Sequence, residues 1–111
     1  MPIAYEYAAT PATAPAKTSA DFLDYTLSWS QEFGPGGGSP GDTIAKVNSL
    51  TVAPSGSMVV SAQTIILSNE AVLFWAASGI AGQTYEAILN ITTTNNRIYE
   101  RSLMIPVGDS L

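Results

Sequence analysis

The chain has 111 residues, 46% of them hydrophobic and only 12% charged, with no cysteine, no histidine and a net charge of -5. That length suits one domain with one sizeable core, and the missing residue types exclude disulfides, thiolate chemistry, Cys/His zinc sites and a histidine general base. The four cations, Lys17, Lys46, Arg97 and Arg101, are too few and too scattered to neutralise a run of phosphates, which argues against nucleic-acid binding.

With so few charges the polar surface has to come from Thr, Ser, Asn and Gln, the mixture of antiparallel sheets with one wet face, so the composition predicts an all-β protein. The N-terminus has no basic region and its apolar residues are interrupted by Pro2, Pro11 and Pro15, so no signal peptide is predicted and synthesis in a cytoplasm is expected. The longest apolar run, Ala71 to Ala77, falls far short of the ~20 residues of a membrane-spanning helix and reads as a buried strand.

Residues 1–20 are rich in Ala, Pro and Thr. Their prolines forbid a long helix and favour an extended arm, set apart from a domain at 21–111. Two readings of the arm stay open: a disordered leader, or an adhesive segment in which Ile3, Tyr5 and Tyr7 dock on a neighbouring protein. From Asp21 the pattern changes, and Tyr25, Leu27 and Trp29 alternate with Thr26, Ser28 and Ser30 in a first strand whose tryptophan is assigned to the core. Asp21 and Asp24 read as strand-entry chemistry, since two carboxylates supply too few oxygens for a metal.

Residues 34–41, Gly-Pro-Gly-Gly-Gly-Ser-Pro-Gly, predict a flexible surface loop. A phosphate loop is excluded because no Lys-Ser/Thr and no helix pattern follow. Short strands are expected near 42–48, 50–53, 58–67 and 71–77, with Asn69-Glu70 as a hairpin tip between the last two. Thr84 to Thr93 and Arg97 to Val107 both alternate. A two-residue turn at Asn95-Asn96 would send their apolar rows to opposite faces. A three-residue loop pairs Ile91 with Tyr99, Leu89 with Arg101, Ala87 with Leu103 and Tyr85 with Ile105, and puts Asn96 in the left-handed region. About seven short strands with turns every ~8 to 12 residues are the signature of an immunoglobulin-like antiparallel β-sandwich.

Catalytic chemistry is hard to find. The nine carboxylates are dispersed, no nucleophile-base pair or metal cluster stands out, and the expectation is a non-enzyme without a cofactor. Asn90-Ile91-Thr92 matches a glycosylation sequon and reads as polar-face strand sequence. Arg101 is the odd residue, because the register turns it toward the apolar row. A structural ion pair with Asp42 is expected, with Asp24 as second candidate and a guanidinium reaching out at the sandwich rim as the alternative.

Several stretches together carry a resemblance: Leu23 to Ser30, Gly41 to Ala45, Ser78 to Tyr85, and Asn90 to Thr94 followed by Arg97 and Glu100-Arg101-Ser102. In order and spacing the chain resembles the small immunoglobulin-like fiber-tail adaptors of tailed phages. It departs from that pattern at Asn96, where the family has glycine, in the Gly/Pro-rich insertion before Asp42 and in the long arm. The resemblance implies a virion protein present in several copies that joins a fiber or tailspike to the tail tube, with other virion proteins as partners. A capsid decoration protein is the alternative. A carbohydrate-binding module would need an exposed aromatic platform, which the apolar run around Trp75 argues against.

Overall fold

The computed structural model describes residues 4–6, as backbone alone, and 12–108. Among the described residues eight strands form two four-stranded sheets, ordered β1-β3-β6-β5 and β2-β8-β7-β4. The long strands are β3 (Phe22–Ser28), β4 (Ile44–Ala53), β5 (Met58–Ile66), β6 (Ala71–Ser78), β7 (Thr84–Thr93) and β8 (Ile98–Pro106), preceded by the short β1 (Ala4–Glu6) and β2 (Ala12–Thr13). The cores of the two sheets, β3-β6-β5 and β8-β7-β4, have the strand order of an immunoglobulin constant-type sandwich, so the predicted fold class holds.

Alternation along each strand sorts the side chains. Tyr25 and Leu27 of β3, Phe74 and Val72 of β6, and the row Tyr85, Ala87, Leu89 and Ile91 of β7 are buried between the sheets with Leu103 and Ile105 of β8. Trp29 is fully buried beside Phe33, Ile44 and Val72, as its strand pattern predicts.

The β7-β8 hairpin has the expected register at every predicted pair: Tyr85 with Ile105, Ala87 with Leu103, Leu89 with Arg101 and Ile91 with Tyr99. The loop closes through the Thr93 N–H to the Arg97 carbonyl at 2.7 Å, and Asn96 has φ of 65°. Because the backbone already demands a left-handed residue there, Asn96→Gly is expected to be neutral or stabilising by under ~1 kcal/mol in a urea melt; a clear loss of stability would mean that the Asn side chain contributes to the turn.

Three expectations change. The two strands predicted at 42–48 and 50–53 are one strand, β4, whose register slips against β7 between Ile44 and Lys46 and again between Val47 and Ser49. Two bulges shift the pattern of apolar positions, which makes one long strand read as two short ones.

The glycine-rich loop is pinned rather than flexible. It folds back on a single helical turn, α1 (Ser30–Phe33), through the Ser39 N–H to the Glu32 carbonyl at 3.0 Å and the Gly41 N–H to the Phe33 carbonyl at 2.8 Å. A Cβ at Gly37 would run into the Glu32 carbonyl, so glycine is required where the loop crosses the helix end.

The third change is the arm. Residues 12–20 lie in the sandwich, not outside it. β2 pairs in parallel with β8, the pairing continues through the Ala14 N–H to the Met104 carbonyl and the Lys17 N–H to the Pro106 carbonyl, and Ala14 is in the core. The expected domain boundary at residue 20 therefore divides residues 12–17 from the sheet they pair with. β1 in turn pairs in parallel with β3, so the described parts of the arm cover one edge of each sheet.

Candidate docking surface

The two sheets differ on their outer faces. On the β2-β8-β7-β4 sheet the outward row is laced by side-chain hydrogen bonds. Asn48 Nδ2 donates to Asn90 Oδ1 at 2.7 Å and to Thr92 Oγ1 at 2.8 Å, Asn90 Nδ2 donates to Glu100 Oε1 at 3.3 Å, and Ser102 Oγ donates to Glu86 Oε2 at 2.7 Å, with Ile88 and Met104 between them. Asn90 of the sequon belongs to this network, consistent with its reading as a polar-face residue.

The outward row of the other sheet is apolar. Phe22 and Ala77 pair across β3 and β6, with Val59 next in line on β5; the next row is Asp24, Trp75 and Ser61. Phe22 and Val59 are 59% and 58% exposed, Leu73, Trp75 and Ala77 are half-buried, and the Phe22 and Trp75 rings lie 4.8 Å apart at 30°. The expectation that Ala71 to Ala77 is wholly buried holds only for its inward residues. β6 is a central strand, so Val72, Phe74 and Ala76 enter the core while Leu73, Trp75 and Ala77 are turned outward by the period of two. The run looked uniform because both faces are apolar, and only the packing of the opposing sheet separates them.

Asp42 does form an ion pair, but with Arg97, whose Nη1 lies 3.3 Å from Asp42 Oδ2. The carboxylate is buried at the hairpin tip and accepts further hydrogen bonds from the Thr43 N–H at 2.9 Å and the Asn95 N–H at 3.2 Å. Burial pushes its pKa up, yet the hydroxyl of Thr93, the two N–H groups and Arg97 more than offset this and hold it below the usual carboxylate range.

The expected pairing of Asp42 with Arg101 is thereby corrected. Arg101 sits four residues beyond Arg97 on β8, roughly 13 Å further along an extended strand, opposite Leu89. There its Nη1 donates to the Glu100 carbonyl at 2.6 Å, and its guanidinium lies 5.5 Å from the centre of the Tyr99 ring. It is half-buried.

The anchoring roles of two residues escaped the sequence reading. Lys17 is buried, and its Nζ donates to the carbonyls of Ser78 and Thr18, both at 2.7 Å, tying the arm to the end of β6; its burial lowers its pKa, with Asp21 opposing. A lysine among Ala, Pro and Thr carries no signal of this. Tyr85 opens β7 with its ring buried and its hydroxyl accepting from the Ile80 N–H at 2.8 Å and sharing a hydrogen with Ser57 Oγ at 2.5 Å, the tyrosine corner of immunoglobulin-like sandwiches. Its signal was legible as a tyrosine just after a Gly-containing turn. Tyr85→Phe removes the partner of two part-buried hydrogen bonds and is expected to cost about 1–2 kcal/mol by denaturant melt; an unchanged midpoint would show that the corner is dispensable here.

Of the residues predicted to dock a partner, Ile3 and Tyr7 lie outside the described residues, and Tyr5 is described only as backbone in β1, opposite Leu27. Among the described residues there is no group of metal-ligating side chains and no helix long and apolar enough to cross a membrane.

No curated protein matches the chain. The family model described as "Podophage GP4 fiber-tail adaptor protein gp77" matches residues 17–106, which run from the buried Lys17 through the end of β8. With the sandwich topology in place and most of the sequence matched, the chain belongs to the podophage fiber-tail adaptor family.

Proposed function

We propose that this protein is a structural, non-enzymatic component of a phage tail that attaches a fiber or tailspike to the tail tube, its partners being the virion proteins on either side. The family assignment carries the reading. Two surfaces of opposite character support it: a hydrogen-bonded polar face on one sheet and an open apolar face on the other, which give a small domain two distinct surfaces for two partners. In this reading Ile3, Tyr5 and Tyr7 add to the contact with a neighbouring virion protein.

The test is a phage unable to make this chain. The reading expects filled heads with tails that lack fibers; particles with fibers in place and fragile capsids would instead identify a decoration protein.

A further inference from the structure

An immunoglobulin-like sandwich can bind through a sheet edge or through a sheet face, and this one has altered its edges. Strand β4 is bulged twice. Strand β5 is bulged between Ser61 and Thr64, with Ala62 at φ of 56°. The remaining two edges are occupied by β1 and β2. Bulges break the flat row of N–H and C=O groups that an added strand would need, so adding a partner strand at an edge, which an open sandwich invites, is the weaker mode here.

The face is better prepared. Phe22, Val59, Leu73, Trp75 and Ala77 form one outward apolar surface on the β1-β3-β6-β5 sheet. Its charge is one-sided. Asp24 lies within it, paired in register with Trp75, while Asp21 and Glu70 precede β3 and β6. The strands β3, β5 and β6 contain no cation. Of the four cations of the chain, Lys17 is buried, Lys46 is on β4, and Arg97 and Arg101 lie at and within β8, all three in the other sheet. A second copy seated on the same face about a two-fold axis would bring Asp24 toward Asp24, a like-charge contact. A flat glycan platform is also a poor fit, because Phe22 and Trp75 turn ring faces toward each other.

We propose that this face, centred on Trp75 and Asp24, is where the adaptor seats on another virion protein, and that the contact patch of that partner is apolar with lysine or arginine placed to meet Asp24. The proposal rests on the adaptor reading and names the surface and the partner chemistry that the reading leaves open.

The experiment supplies full-length variants in trans to a phage lacking the chain and counts copies per purified particle, with each variant's melt recorded separately. Asp24→Lys and Trp75→Ser are expected to reduce incorporation at least tenfold, Asp24→Lys doing so with an unchanged melt, while Glu100→Lys on the opposite face incorporates normally. Normal incorporation of Asp24→Lys overturns the proposal, as does loss of Glu100→Lys alone. The purified chain is expected to sediment as a monomer; a dimer lost on Trp75→Ser would assign the face to self-association. Tryptophan fluorescence is expected to be unchanged by purified host surface polysaccharide, and a response absent from Trp75→Ser would assign it to glycan. Particles that keep their fibers without the chain would remove the adaptor reading while leaving the incorporation result to stand or fall by itself.

Discussion

Replacing Asp42 with alanine is expected to lower stability by about 2–4 kcal/mol, far more than its single ion pair suggests. Arg97 is 52% exposed, and a pair with one partner in water is worth under about 1 kcal/mol, so Arg97→Ala should be mild. The larger loss comes from the Thr43 and Asn95 N–H groups and the Thr93 hydroxyl, which converge on one buried carboxylate and hold the start of β4 against the β7-β8 turn.

The pH dependence follows from the direction of the shift. The folded pKa lies below the unfolded value of ~3.9, so the contribution is fully present above that value and is lost as pH falls through the folded pKa. Wild type should lose stability on acidification below about pH 4, and Asp42→Asn should be less stable at neutral pH with a flatter acid limb. Equal acid sensitivity in the two would place the titrating group elsewhere.

Deleting residues 1–20 is expected to cost about 3–5 kcal/mol, whereas deleting only residues 1–11 should cost distinctly less. The longer deletion removes the β2 pairing, the backbone bonds joining Ala14 and Lys17 to β8 and Gly108, the Ala14 core contact and the bond from the Lys17 ammonium to Ser78; at ~1 kcal/mol for each net hydrogen bond the sum reaches that range. With ~4 to 8 °C per kcal/mol for a domain of this size, the melting temperature should fall by more than about 10 °C. An unchanged melt would show that the pairing with β8 is marginal in solution. The shorter deletion then becomes the milder probe of the arm in assembly, since it removes β1 but leaves β2 and Lys17 in place.

Much of the architecture was determined by the sequence alone, because a period of two is a local property. Alternation in Thr84 to Thr93 and Arg97 to Val107 allowed one loop length that put both apolar rows on one face, and this set the hairpin register and the left-handed Asn96 before any tertiary contact was known. Trp29 followed from the same rule. The motifs from Leu23 to Ser102 carried the family resemblance, which the match over residues 17–106 bears out.

Tertiary structure decided whatever depends on which strands become neighbours. Asp42 chose Arg97 over Arg101 because it meets β8 at the tip and not along its length, a choice invisible to residue type. Lys17 became a buried strap because β2 lies beside β8 and brings its ammonium to the Ser78 carbonyl, a pairing across 61 residues of chain that no local pattern encodes. The run from Ala71 to Ala77 was apolar on both faces, so its sequence could not say which residues point inward. Packing of the β2-β8-β7-β4 sheet against one face of β6 put Phe74 in the core and left Trp75 on the outer face, because each strand has two faces and only the opposing sheet determines which one is covered.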